Sequence, residues 1–124
     1  MMRLTPIATV FAAAVAIASA AGAAPLPAPA RAEVEALLGR LQASGCEFNR
    51  NGTWYSGAEA KTHLQRKLEY LEKKEMVRNA EQFIELGASA SSSSGKAYLV
   101  RCGASAPLES KAWLGAELKA MRQR

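Results

Sequence analysis

The sequence predicts an α+β fold: a small three-stranded antiparallel sheet, one hairpin plus a later strand, packed with about four helices in the order α-β-β-α-α-β-α. Three observations carry that prediction. Apolar residues recur at helical spacing in four separate stretches, Asn51-Gly52 lies between two short aromatic-bearing runs, and residues 98–102 are β-formers without a breaker. With 124 residues, 49% of them hydrophobic and 22% charged, the chain has room for one small domain.

Each element has its own local reason. Val34, Leu37, Leu38 and Leu41 follow i, i+3, i+4, i+7, one stripe of a helix that begins near Arg31 to Glu33, and Gly45 is a natural stop. The runs beginning at Cys46 and ending at Tyr55 read as two strands, because Asn-Gly suits the positive φ angles of a type I′ hairpin turn. Ser56-Gly57-Ala58-Glu59 then matches a capping box, in which the serine oxygen and the glutamate each satisfy an orphan amide at a helix start. On that second helix Ala60, Leu64, Leu68 and Leu71 form the apolar face, while Glu59, His63, Arg66 and Tyr70 make a second stripe at its edge.

Asn79 is placed to cap a third helix that buries Ala80, Phe83, Ile84 and Gly87, and the serine-rich stretch from Ser89 to Gly95 ends it. The third strand runs from Tyr98 to Cys102. Pro107 and Ser110 introduce a last helix with Trp113, Leu114, Leu118 and Met121 on one face.

The N-terminal segment has a different character. One positive charge at Arg3, an uncharged apolar stretch from Leu4 to Ala18 and small residues after it form the three parts of a secretory signal peptide. Cleavage after Ala20 fits the small-x-small rule, and cleavage after Ala23 fits it almost as well. The competing reading is an uncleaved anchor, since the span approaches the roughly 20 residues that cross a bilayer. Its dominance by alanine favours cleavage, leaving no stable membrane span. The expected organisation is therefore a signal peptide over 1–20, an Ala/Pro-rich tether over 21–31 and a globular domain over 32–124. Export implies a periplasmic or secreted protein in oxidising surroundings, where an even cysteine count favours one disulfide, Cys46 with Cys102. A reactive thiol pair is the weaker reading, because no Cys-x-x-Cys spacing is present.

The string Cys46, Phe48, Arg50-Asn51-Gly52, Trp54-Tyr55, Glu59-Ala60, His63-Leu64 and Lys67 resembles the YfeK-like family of small exported bacterial proteins, a domain of unknown function. The second half agrees through Ala80-Glu81, Phe83-Ile84, Ala88-Ser89, Ser91-Ser92, Gly95, Tyr98 and Cys102, so the likeness spans Glu33 to Trp113. Leu68 stands where the family pattern has an aromatic, and Ala97 where it has proline. The resemblance implies a signal peptide, a two-cysteine domain and a periplasmic address in a Gram-negative cell. It implies no activity.

Side-chain catalysts are scarce. All eleven acids are Glu and the only imidazole is His63. One His, no Asp and two cysteines expected to be oxidised do not supply the three or four ligands of a usual metal site, and no Gly-rich phosphate loop is present, so no metal, cofactor or catalytic residue is assigned. The candidate binding surface gathers Arg50 and Asn51 at the hairpin tip, Trp54 and Tyr55 on its return strand, Glu59 and His63 on the next helix, and Tyr98 on the third strand. Each also has a structural explanation: turn, core, cap, or a local His63–Glu59 pair at i, i+4.

The reading that follows is a non-enzymatic binding or structural envelope protein whose partner is an envelope protein or an anionic envelope component. The alternative is a hydrolase or other enzyme using His63 with Glu59 and a serine from residues 91–94. Sixteen bases against eleven acids leave +5, or +4 once Arg3 departs with the leader. The bases alternate with Glu along the second helix instead of forming a stripe, which argues against nucleic acid. The pairing of the cysteines is directly testable: thiol titration of the mature protein, denatured without reductant, is expected to find no free thiol, and two titratable thiols would refute it.

Overall fold

The computed structural model describes residues 26–123 and, ahead of them, 2–4, 6, 8–10, 12 and 13. The proposed cleavage positions and the first half of the tether lie outside the described residues. Four helices and four strands follow one another as α1 (Ala28–Ala43), β1 (Glu47–Arg50), β2 (Thr53–Ser56), α2 (Gly57–Lys73), α3 (Ala80–Gly87), β3 (Leu99–Arg101), β4 (Leu108–Glu109) and α4 (Ser110–Arg122). The sheet is antiparallel throughout, in the order β2-β1-β3-β4.

Three strands were expected and four are present. β4 is only two residues long, Leu108 is 52% exposed, and Pro107 precedes it. A pair of residues carries no readable alternation, so this strand exists only because the edge of β3 is there to accept it. α1 also begins earlier than its apolar stripe suggests. Pro27 is its N-cap and Pro29 sits in its first turn, where a missing N–H costs nothing and the fixed φ is already helical. Residues 28–31, read from composition as tether, are thus the first turn of α1, and Leu26 before them is buried.

The hairpin turn and the caps of α2 and α3 match expectation, whereas Tyr98 and Cys102 flank β3 and Ser110 is the first residue of α4, after Glu109 as N-cap, with its buried hydroxyl unbonded among the described residues. Asn51 and Gly52 both have positive φ, 52° and 86°, and close the β1–β2 hairpin with Arg50 opposite Thr53. Ser56 and Glu59 form a reciprocal capping box, the Ser56 hydroxyl accepting from the Glu59 amide at 3.1 Å and the carboxylate accepting from the Ser56 amide at 3.3 Å. Asn79 accepts from the Gln82 amide at 2.8 Å and starts α3.

α2 lies against β1 and β2, and α4 against β3 and β4, while α1 packs on all three other helices. Val34, Leu37, Leu38 and Leu41 of α1 meet Ala60, Leu64 and Leu68 of α2, Phe83 of α3 and Leu114 of α4 in one continuous buried core. Phe48 and Val100, opposite each other across β1 and β3, supply its sheet side. Arg122 ties the outside together, its guanidinium accepted by Glu33 at 2.5 and 3.0 Å and also by Glu81.

A disulfide between Cys46 and Cys102 closes the β1–β3 ladder. Glu47 pairs with Arg101, so the cysteines occupy the next position along the same register, with Cα atoms 4.3 Å apart. In the chain-entropy model a cross-link enclosing a loop of this size stabilises by roughly 4 kcal/mol.

The tightest backbone approach is between α1 and α2. A Cβ on Gly57 would stand 2.5 Å from the Leu41 carbonyl oxygen and 3.1 Å from the Gln42 Cα. Both are backbone atoms and cannot swing aside. Gly57→Ala is therefore expected to destabilise the domain by about 1–3 kcal/mol, the usual cost of forced overpacking, read from urea denaturation of the oxidised protein.

Candidate functional site

The site is built where the hairpin tip, α2 and the serine-rich loop meet. Arg50 is the last residue of β1 and points to the helix-covered side of the sheet with Phe48, since alternate residues of a strand share a face. Its Nη1 lies 2.8 Å from Nδ1 of His63. A guanidinium can only donate, so Nδ1 is the unprotonated nitrogen of the ring. Nε2 then carries the proton and donates to the Tyr98 hydroxyl at 3.2 Å. That same hydroxyl accepts from the Lys67 ammonium at 3.0 Å, and Lys67 also donates to the Ala90 carbonyl at 3.0 Å.

Tyr98 holds this chain in place. It is 1% exposed, its ring lies 4.9 Å from that of Phe48, and its backbone bonds to Ser89 and Ser110. The hairpin tip is tied to the loop as well. Asn51 donates to the Ser91 hydroxyl at 3.2 Å and accepts from the Ser94 hydroxyl at 2.5 Å.

Charge at the site is one-sided. Arg50, Arg66 and Lys67 have no carboxylate partner among the described residues, whereas Arg31, Arg40, Arg101, Lys111 and Arg122 each meet a Glu. The effect reaches the neighbouring titrations. Burial, then the charges of Arg50, Lys67 and Arg66, push His63 down to about 4, so the ring is neutral at neutral pH. Burial and Arg50 also lower Lys67. Burial raises Tyr98, opposed by Arg50, which keeps the phenol protonated.

Of the seven residues marked in the sequence, Arg50, Asn51, Tyr55, Glu59, His63 and Tyr98 line two adjoining clefts. Trp54 does not join them. It follows Tyr55 by one position in reverse, so it faces the other side of the sheet, where the Arg101 guanidinium stacks 3.9 Å from its ring centroid. The expected His63–Glu59 pair is replaced: His63 turns to Arg50 and Tyr98, and Glu59 is held by Ser56. Among the described residues no serine hydroxyl bonds to His63.

Arg66, Lys67 and Ser91 to Ser93 also line the clefts, although the sequence placed Arg66 only on the edge stripe of α2 and offered the serines only as nucleophiles. A signal existed for the first two: they stand three and four positions after His63 and must share its side of α2. Nothing local could have brought the loop to them.

These features define a small disulfide-bonded α+β domain with an acid-poor, cation-lined cleft between a hairpin and a helix. The chain belongs to the family of unknown function DUF5329, whose family model matches residues 28–122. No curated protein and no solved structure matches it. Among the described residues no helix is long and apolar enough to cross a membrane.

The lowered His63 makes stability depend on pH. The unfolded chain takes up a proton near pH 6.5, while the folded ring stays neutral to about 4, so the unfolded state binds more protons between those values. Stability contributed at this site is thus full above pH 6.5 and declines as pH falls towards 4. Denaturant unfolding at pH 7.5, 5.5 and 4 is expected to show this loss in the wild type relative to His63→Gln, and parallel curves for the two would contradict it.

Proposed function

We propose that this chain is an exported, non-enzymatic binding domain of the bacterial envelope, and that it captures an anionic envelope component in the cleft between the hairpin and α2. The observation that carries the reading is the convergence of Arg50, Arg66 and Lys67 without a carboxylate partner among the described residues. Like charges held together raise the energy of the folded state, and an anion seated between them lowers it. By contrast, Arg40 meets Glu117 at 2.8 Å and Arg101 meets Glu47 at 3.0 Å.

Export and the periplasmic address rest on the leader composition and the YfeK-like resemblance, and the Cys46–Cys102 disulfide is in keeping with an oxidising compartment. The non-enzymatic reading is supported by His63, whose two ring nitrogens are engaged by Arg50 and Tyr98, and by Glu59, which serves as a helix cap. Arg50 is oriented by His63, and Lys67 by Tyr98 and Ala90, so the donors are held before a ligand arrives. The edge of the cleft belongs to Arg66, which makes no hydrogen bond or ion pair among the described residues.

Arg66→Glu is the informative substitution, because it reverses the field without removing a packing contact. In nitrogen-15 NMR titrations of the oxidised protein, small anions such as sulfate and glucuronate are expected to shift amides around Arg50, His63, Arg66 and Ser92 in the wild type. The shifts should be lost in Arg66→Glu, with thermal stability not lowered, since the substitution relieves repulsion among the cations. Shifts spread evenly over the surface, or equal in both proteins, would refute the site.

A further inference from the structure

The two clefts share one wall. Arg50, His63 and Arg66 line both, so the clefts adjoin across these three side chains as the unlike halves of what we term the trough. One half, of about 560 Å³, continues over Lys67 and the hydroxyls of Ser91, Ser92 and Ser93, and no carboxylate lines it. The other, of about 330 Å³, continues over Phe48, Tyr55, Ala60 and Thr62 and contains a single acid, Glu59.

Donor geometry in the first half separates the oxyanions it suits. Cationic and hydroxyl-bearing residues line it from three elements: Arg50 from the end of β1, Arg66 and Lys67 from α2, and Ser91 to Ser93 from the loop, where the buried Ser91 hydroxyl is engaged by Asn51, Ser93 and Ser94. One guanidinium fork satisfies a planar carboxylate in its own plane. Donors arriving from several sides instead suit a tetrahedral group with several charged oxygens. Lys67 has three N–H donors and spends two on Ala90 and Tyr98, leaving one for a ligand.

The second half suits a substituent with hydroxyl groups. Tyr55 offers ring surface above the buried Phe48, while Thr62 and Glu59 offer polar atoms beside it. The Glu59 carboxylate accepts from the Ser56 amide and hydroxyl through one oxygen, Oε1, which leaves Oε2 to accept from a ligand hydroxyl.

Building on the anion-binding reading above, we infer that the trough takes a phosphoryl group bearing a sugar or polyol substituent, with the phosphoryl over Arg66, Lys67 and the serine loop and the substituent beside Tyr55 and Glu59. The shared chemistry is found in free sugar phosphates and in the glycerol phosphate headgroup of an anionic lipid.

Calorimetric titration of the oxidised mature protein tests this with defined probes: glucose 1-phosphate, inorganic phosphate, glucuronate and glucose. Vesicles of phosphatidylglycerol, with phosphatidylcholine as control, examine the membrane-borne source. Glucose 1-phosphate is expected to bind at least tenfold more tightly than glucuronate, with no saturable binding of glucose, and Arg66→Glu should weaken it at least tenfold. Binding of phosphatidylglycerol vesicles, with the free sugar phosphate at least tenfold weaker but still lost in Arg66→Glu, would also support the assignment and locate its source in the lipid headgroup. Glu59→Gln preserves a capping-box residue type. It is expected to weaken glucose 1-phosphate several-fold and leave inorganic phosphate unchanged; an equal effect on both, or none, would overturn the placement of the substituent. Glucuronate binding as tightly as glucose 1-phosphate, with loss in Arg66→Glu, would overturn the phosphoryl assignment while leaving the anion-binding reading intact. Failure of every anion to bind would overturn both.

Discussion

Pairing between β1 and β3 is the constraint on which the remaining architecture rests. These strands belong to different halves of the chain, and the cysteines at the end of their ladder are 56 residues apart in sequence. Bringing such distant segments together costs loop-closure entropy, and a covalent link removes much of that cost from the folding equilibrium. Once β1 and β3 are neighbours, Phe48 and Val100 face one another in the core, β2 extends one edge through the hairpin, and Leu108–Glu109 extends the other.

The same ladder sets the geometry of the cleft. Tyr98 lies immediately before β3, buried against Phe48, and its hydroxyl is the fixed point to which His63 and Lys67 attach. Arg50 closes β1 and reaches His63 from the opposite side. Thus a neutral imidazole accepts from Arg50 and donates to the phenol that also binds Lys67, while the Arg50 guanidinium lies over the Tyr55 ring, 5.4 Å from its centroid. Stability and readiness to bind come from the same contacts. Their electrostatic cost appears in His63 and Lys67, both shifted towards their neutral forms.

Much of the local structure was legible because each signal acts over a few residues. Asn51-Gly52 closes its turn, Ser56 and Glu59 cap α2, Asn79 caps α3, and every residue of the predicted apolar stripes on α1, α2 and α3 is buried. The misreadings share one cause. Trp54 and Tyr55 look alike as neighbouring aromatics, yet strand alternation sends them to opposite faces, and which face meets α2 depends on packing. Glu59 and His63 have ideal spacing for a local pair, but a long-range contact with Arg50 outcompetes it.

By itself the sequence determined the four helices, the caps of α2 and α3, the type I′ turn, the candidate core and the pair of cysteines available for a bridge, since all of these depend on residue type and short spacing. Only the tertiary structure decided that a fourth strand forms at the β3 edge, that Trp54 leaves the cleft, and that the serine loop meets Arg66 and Lys67 there. The reason is one of range. Helix and turn propensities are properties of a few consecutive residues, whereas the field inside a cleft is a sum over charges carried by segments that become neighbours only when the sheet closes.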